Sequence, residues 1–291
     1  MCSSDLIQPI SVPQIYYDIA REAGDFTVLE IPTFNWRGAA ATEVYQAIHG
    51  KRILRAYTNR IAPGPAEYFG TRGTPIVVRS LRVLEGAEAG PLAPDEIAED
   101  KRVRDEIVQF FDLRYAVAHR QFLKPEQARN IDAYLRDVLG AHVVYDDGET
   151  VAYEFPRVPL SSTAVQIDLR ENIGQMYAGR GWQFEYPKAN WEGEFDFVWA
   201  RGAQSEIYFV ANRAADHVMS LHAHAESPQR VGILLNGERV GEIALTTAWQ
   251  DYRITLPARA MKPKMNVVRL EYGAELKETI GVTTIVIADG R

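Results

Sequence analysis

Two hydrophobic patterns follow one another along the chain. In the first half, apolar residues recur at helical spacing between short extended runs, as at positions 12, 15, 16 and 19 ahead of Gly24. This alternation predicts helices and strands in turn, with a long connection over residues 32–73. The predicted helices cover residues 12–23, 74–85, 95–111 and 125–139, and the predicted strands cover 26–31, 114–119, 143–145 and 150–155.

Beyond residue 160, short runs of alternating apolar and polar residues replace the helical spacing. Turn sequences such as Asn236-Gly237 separate these runs, which is typical of antiparallel hairpins. We therefore expect an α/β domain over residues 7–158 and an all-β antiparallel jelly-roll sandwich over 159–291. The expected strands of the sandwich cover residues 166–169, 195–199, 206–210, 217–225, 230–235, 238–245, 251–256, 266–272 and 283–288.

Composition and motifs narrow the functional classes. The 291 residues carry 32 basic and 39 acidic side chains, a net charge of -7, which argues against nucleic acid or anionic lipid as a partner. No apolar run is long enough to predict a membrane span. The chain has no Gly-x-Gly-x-x-Gly, P-loop or Gly-x-Ser-x-Gly motif, so we predict neither a cofactor nor a serine nucleophile.

The chain begins with MCSSDL, which matches the translated end of a widely used sequencing adapter read from a GTG start codon. We expect residues 1–6 to be an artefact of this kind rather than native sequence. They include Cys2, the single cysteine, which has no partner for an internal disulfide. On this interpretation the native reading frame extends upstream of Ile7.

Several segments resemble a known family. In the first half these are VPQIYYDIAREAGDFTVLEIP, YQAIHGKRILRAYTNR, DLRYAVAHRQFLKPE and VVYDDGETVAYEFP. They resemble the extracytoplasmic part of bacterial multi-pass membrane proteins of the lipid-linked-sugar glycosyltransferase type. In the second half, GWQFEYPKANWEGEFDFVWARGAQSEIYF, VGILLNGERVGEIAL and TAWQDYRITLPARAMKPKMNVVRLEY are similar to the C-terminal jelly roll of those proteins, which looks like a carbohydrate-binding module.

The resemblance implies a location on the extracytoplasmic face of the bacterial cell membrane, with attachment through a part upstream of this chain. In such families the membrane spans and the catalytic carboxylate lie in that upstream part. No catalytic residue is therefore carried over to this sequence. The resemblance implies a non-catalytic portion that binds or positions a glycan or a lipid-linked sugar.

Residues 45–60 hold the densest cluster of polar and aromatic side chains. His49, Lys51, Arg52 and Arg60 offer cationic donors beside the ring of Tyr57, and guanidinium groups match anionic oxygens well. We predict that they bind a lipid-linked diphosphate or an acidic sugar. The alternative is a solvated loop whose basic side chains pair with acidic neighbours, namely Asp25, Glu43 and Glu67.

Four of the five tryptophans lie in the second half, where exposed aromatic rings can stack on sugar rings. We predict Trp182 and Trp191 as ligand-binding residues. Trp199 alternates with Phe195 and Phe197, which indicates a core position. Two further aromatic residues of this half are Trp249 and Tyr252.

His222 and His224 alternate along a predicted strand, so both imidazoles leave the same face. A pair of this kind can bind zinc, and His217 and Asp216 lie nearby in sequence. No third ligand with fixed spacing is evident, so the alternative is two exposed histidines on a solvated face. We treat the pair as weak metal candidates and predict no metal.

Two other functional classes remain open from the sequence. A soluble sugar-active enzyme of the glycoside hydrolase type would need two carboxylates about 5–10 Å apart in a cleft. A purely structural cell-surface module would bury both Trp182 and Trp191 and expose the segment around His49.

Overall fold

The computed structural model describes residues 12–34, 36–54, 76–159, 165–184 and 197–290, and for residues 36–42, 76 and 274–279 it describes the backbone only. Contacts divide the chain into two units. The α/β unit comprises the described residues up to 54 and those from Ser80 to Val158. The sandwich unit begins at Pro159, and the first turn of the helix that starts at residue 76 is grouped with it.

The α/β unit is built on a five-stranded mixed sheet. Strand β1 (Thr27–Ile31) pairs in parallel with β2 (Arg52–Ile53) and β3 (Leu113–His119). Strand β5 (Thr150–Glu154) pairs antiparallel with β3 and forms a hairpin with β4 (His142–Asp146), so the strand order is β2-β1-β3-β5-β4. All five residues of β1 are buried, as is usual for a central strand of a parallel pair.

Helices cover this sheet with their apolar sides. Helix α1 (Gln14–Arg21) directs Ile15, Tyr16 and Ile19 into a core cluster that includes Val28 of β1. The other helices are α2 (Trp36–His49), α3 (Ile76–Leu84), of which the part from Ser80 onward belongs to this unit, α4 (Pro94–Arg102), α5 (Arg104–Phe111) and α6 (Pro125–Ala133). Helix α6 continues as a π-helical turn (Tyr134–Val138).

Two sequence predictions for this unit are wrong in detail. The helix expected over 95–111 is two helices, because Val103 leaves the helical conformation with φ -105° and ψ 13°. The connection expected over 32–73 contains helix α2. Its N-terminal half includes three consecutive alanines at 39–41, which add little to the hydrophobic periodicity by which a helix is recognised.

In the sandwich unit, long antiparallel strands meet on strand β13 (Lys264–Asp289). The other elements are β6 (Val165–Asp168), helix α7 (Asn172–Tyr177), β7 (Trp182–Gln183), β8 (Val198–Ala211), β9 (His217–Ala225), β10 (Gln229–Leu235), β11 (Glu238–Leu245) and β12 (Gln250–Leu256). Strand β13 pairs antiparallel with β6, β8, β9 and β10. Strand β11 pairs with the other edge of β10, and β12 pairs with β9.

The sequence divides β13 and β8 into two predicted strands each, although each is continuous. In β13 the strands expected over 266–272 and 283–288 are joined through a segment whose pairing register with β8 shifts twice. The intervening sequence GAELKET is polar and lacks strict alternation, which resembles a turn in sequence. Such irregular positions bend a strand without ending it.

The turn between β10 and β11 forms where the sequence predicts it. Asn236 and Gly237 both have positive φ, 52° and 90°, as a two-residue type I′ hairpin requires. Along β9, buried residues alternate with half-buried ones, so one face of the strand packs into the core. The predicted fold class, an α/β domain followed by an antiparallel jelly-roll sandwich, is confirmed by this topology. Among the described helices, none is long and apolar enough to cross a membrane.

Candidate functional site

The basic side chains predicted to bind an anionic ligand make contacts inside the α/β unit. The ammonium group of Lys51 donates to the carbonyl oxygen of Glu22 at 2.6 Å. The guanidinium group of Arg52 pairs with Asp25 at 3.1 Å and with Asp112 at 2.5 Å. Of these contacts, the Arg52–Asp25 pair is one that the alternative interpretation expected. Three predicted site residues lie outside the described residues, namely Tyr57, Arg60 and Trp191.

His49 is buried rather than exposed on a loop. It is the last residue of α2 and is 3% exposed. Its Nδ1 accepts a hydrogen bond from the backbone N–H of Lys51 at 3.0 Å, so in the neutral imidazole the proton sits on Nε2. That nitrogen lies 3.9 Å from Oε1 of Glu30, beyond hydrogen-bond distance.

Glu30 of β1 is the centre of a group of buried polar side chains that the sequence analysis missed. Its Oε2 accepts a hydrogen bond from the Tyr16 hydroxyl at 2.9 Å and lies 3.3 Å from Nε2 of His119. The same hydroxyl is 2.8 Å from that nitrogen, and the Tyr45 ring stacks on the Tyr16 ring at 4.3 Å. We call Tyr16, Glu30, Tyr45, His49 and His119 the buried cluster.

Burial dominates the electrostatics of the buried cluster. It raises the pKa of Glu30, and the hydrogen bonds from His119 and Tyr16 only partly oppose this effect. Burial also lowers the pKa of His49 to about 4, with a further contribution from the Lys51 charge. Among the described residues, Oε1 of Glu30, Nε2 of His49 and Nδ1 of His119 have no hydrogen-bond partner.

The buried cluster connects two helices to the sheet and is closed to ligands. Each of its five side chains is at most 6% exposed. Its contacts join α1 and α2 to the ends of β1 and β3, so we assign it to the stability of the α/β unit. One sequence signal indicated it in part: Glu30 is the only charged residue in the apolar run 26–31.

In the sandwich unit, Trp182 is a core residue and not a ligand-binding one. Its side chain is fully buried, and its Nε1–H donates to the backbone carbonyl of Glu206 at 2.8 Å. A ring enclosed on both faces has no surface on which a sugar can stack. The prediction that Trp182 binds a ligand is therefore wrong. It was based on the many aromatic residues in this segment, and those residues do not show which ring is exposed.

His222 and His224 leave the same face of β9. Nδ1 of His222 lies 2.8 Å from the Asp251 carboxylate. Because a carboxylate can only accept, Nδ1 is the donor of this hydrogen bond, and Nε2 of His222 does not take part in it. Burial lowers the pKa of His224, and its Nε2 has no hydrogen-bond partner among the described residues. Within the described part of the chain, no three His, Cys, Asp or Glu side chains are placed to hold a metal ion.

Trp249 covers this histidine pair. Its ring is parallel to that of His222, with an angle of 11° and centroids 5.5 Å apart, and its centroid is 4.2 Å from that of His224. Phe197 packs against it at 5.3 Å. One face of the indole is thus supported by other rings, while the side chain remains 39% exposed. We call Phe197, His222, His224 and Trp249 the aromatic platform.

Hydrogen bonds fix the loop that carries Trp249. The Tyr252 hydroxyl accepts from the backbone N–H of Thr246 and from Nε2 of Gln250, both at 2.8 Å. Burial alone would raise the pKa of Tyr252, but these hydrogen bonds outweigh it and lower the pKa. The Thr246 carbonyl in turn accepts from the N–H of Ala225 at the end of β9. The platform is therefore held in place without a ligand.

We expect Tyr252→Phe to loosen this loop while preserving the fold. The substitution removes the hydroxyl that accepts from the Thr246 N–H and from the Gln250 amide, so the free energy of unfolding should fall by about 1 kcal/mol. Urea denaturation measures this change. Amide exchange at Thr246 should also accelerate in the variant, and unchanged exchange there would show that the hydroxyl does not hold the loop.

The sandwich is similar to several solved carbohydrate-binding modules. A GH26-CBM35 β-(1,4)-mannanase from Podospora anserina matches with 10% identity and a TM-score of 0.31. The match covers 45% of this chain and 28% of the mannanase, so the chain spans under a third of that protein's length. CBM35 from Cellvibrio japonicus Abf62 matches with 13% identity and a TM-score of 0.31 over 44% of this chain and 95% of its own. CBM35 from Paenibacillus barcinonensis matches with 14% identity and a TM-score of 0.32 over 44% and 99%.

No protein-family model matches the sequence. No curated protein matches it either. At these identities and TM-scores the similarities describe the fold and not a function.

Proposed function

We propose that the sandwich unit binds a glycan through the aromatic platform. The observation that carries the proposal is the Trp249 ring, which is supported on one face by His222 and His224 and is 39% exposed. A flat ring held in this way suits the apolar face of a sugar, because aromatic rings combine apolar contact area with little conformational entropy to lose.

Polar groups beside the ring suit sugar hydroxyls. The Asp251 carboxylate is well exposed, with 64% of its side chain accessible, and it can accept hydrogen bonds from hydroxyl groups. His222 keeps Nε2 available because only its Nδ1 is bonded to Asp251. The negative charge of Asp251 disfavours uronic acids, so we propose neutral sugars as the ligand class.

We further propose that this chain is the extracytoplasmic portion of a membrane glycosyltransferase-like protein and positions glycan or lipid-linked sugar for it. This part of the proposal is supported by the sequence resemblance. Its test is to extend the reading frame upstream of Ile7 and to map the topology of the longer protein in bacterial cells. Several membrane spans, with this chain on the outer face, are the expected result; a soluble full-length protein would contradict it.

We expect Trp249→Ala to weaken glycan binding at least about tenfold, as for a central aromatic residue of a binding surface. Affinity electrophoresis in gels containing galactomannan, xylan, arabinan or polygalacturonate identifies the polysaccharide that retards the protein. Titration calorimetry with oligosaccharides of that polymer then gives the affinities of both proteins. Trp249→Phe should retain part of the affinity because it keeps a flat ring.

The matched control is Tyr17→Ala, which removes an aromatic side chain that is 43% exposed in the α/β unit. It should leave glycan binding unchanged. Retardation that Trp249→Ala and Tyr17→Ala reduce equally would contradict a role for the platform. Failure of all the neutral polymers to retard the protein would instead favour a structural module.

A further inference from the structure

We propose that a groove in the α/β unit binds a small organic cation with an apolar body. The groove lies between the end of α3, the loop that follows it, α4 and α6, and has a volume of about 690 Å³. Small-molecule sites typically measure about 300–1,000 Å³. All its lining residues belong to the α/β unit, so the proposal does not depend on glycan binding by the sandwich.

The floor of the groove is apolar and incompletely covered. Val83 and Leu84 from the end of α3, Leu92 from the loop and Ile97 from α4 line it, and all four are only half-buried. Apolar side chains left in this state within a concave surface can be covered further by a ligand. A hydrocarbon chain or ring placed there would remove this surface from water.

The polar side of the groove is acidic. Glu126, Asn130 and Asp137 line it from α6 and its π-helical continuation. Among the described residues, neither carboxylate pairs with a basic side chain, and no Lys, Arg or His lines the groove. The two carboxylates can therefore accept hydrogen bonds from a cationic group of a ligand.

The acidic side of the groove forms its rim. The π-helical turn Tyr134–Val138 is the wall between the apolar floor and this rim, and it supplies three lining residues. Turns of this kind are rare and are found frequently at functional sites. The Tyr134 hydroxyl donates to Asp100 at 2.5 Å, and the Ser80 hydroxyl donates to the same oxygen at 2.5 Å. Asp100 is 2% exposed, so these hydrogen bonds hold the Tyr134 side chain of the wall against a buried acceptor.

Charge and shape together select the ligand class. Carboxylates at the rim favour a primary ammonium group, and the apolar floor favours a hydrocarbon body attached to it. A bare metal ion is disfavoured, because no metal-binding set of three side chains occurs in the described residues. An anion would be repelled by Glu126 and Asp137.

The test uses three probes that share one ring and differ in charge: cyclohexylamine, cyclohexanol and cyclohexanecarboxylate. Titration of the full chain, followed by ligand-observed NMR, should show cyclohexylamine binding about tenfold more tightly than cyclohexanol, since a charge-assisted hydrogen bond is added. Cyclohexanecarboxylate should not bind. Raising the salt concentration should weaken the binding of the amine and leave that of the alcohol unchanged.

Two variants connect the binding to the groove. Asp137→Asn removes one rim charge at an exposed position and should weaken cyclohexylamine binding about threefold to tenfold. Glu149→Gln is the control, because it removes an exposed carboxylate in the β4–β5 turn that does not line the groove. The proposal is overturned if the amine does not bind, if alcohol and amine bind equally, or if both variants weaken binding to the same degree.

Discussion

Trp182→Ala should lower the free energy of unfolding of the sandwich unit by about 3–5 kcal/mol. The side chain is fully buried, so its removal leaves a large cavity that the surrounding strands can fill only in part. The substitution also deprives the Glu206 carbonyl of the indole N–H that donates to it at 2.8 Å. Urea denaturation followed by near-ultraviolet circular dichroism measures the change.

Trp249→Ala provides the contrast. Because Trp249 is 39% exposed, its removal should cost less than about 1 kcal/mol of stability while it weakens glycan binding. Trp182→Phe, which keeps most of the volume, should fall between the two alanine variants. If Trp182→Ala unfolded at the same urea concentration as the wild type, the core position of Trp182 would be wrong.

The second large effect is a pH-dependent stability from His49. Its pKa is about 4 in the folded protein and about 6.5 in an unfolded chain. Between these values the unfolded chain binds a proton that the folded protein does not. Stability therefore falls as the pH drops below 6.5, and between pH 7 and pH 5 the loss from His49 should be about 2 kcal/mol.

His49→Gln isolates this contribution, since glutamine does not titrate. The raised pKa of Glu30 acts in the opposite direction, because a folded state that retains its proton gains stability as the pH falls through that pKa. Glu30 is present in both proteins, so the difference between their stabilities at pH 7 and pH 5 reports on His49. Equal pH dependence in the two proteins would show that His49 titrates normally when folded.

Local sequence signals gave much of the architecture. The strand β9 matches its predicted bounds, 217–225, and Asn236-Gly237 forms the predicted hairpin turn. These features depend on neighbouring residues, namely the alternation of side chains and the backbone freedom of the turn. Strands β8 and β13 were each predicted as two strands, because their irregular middle segments interrupt the alternation.

The candidate site was less accessible from the sequence. The aromatic-rich segment led to the prediction of Trp182, which is buried, whereas the exposed ring of the aromatic platform is Trp249. A strand pattern shows that a residue faces one side or the other. It does not show whether another strand or loop covers that side.

The residue pattern was enough to predict the class of each half and most of the strands of the sandwich, and the composition gives the acidic net charge. The three-dimensional packing was needed to show which polar residues are internal and which aromatic ring is exposed. Tyr16 and His119 lie 103 positions apart and meet over Glu30. The Trp249 ring stacks on His222 because strand β12, which follows Trp249, pairs with β9. Burial and ring contacts of this kind depend on residues that are distant in the chain. The local pattern of apolar and polar residues therefore does not predict these contacts.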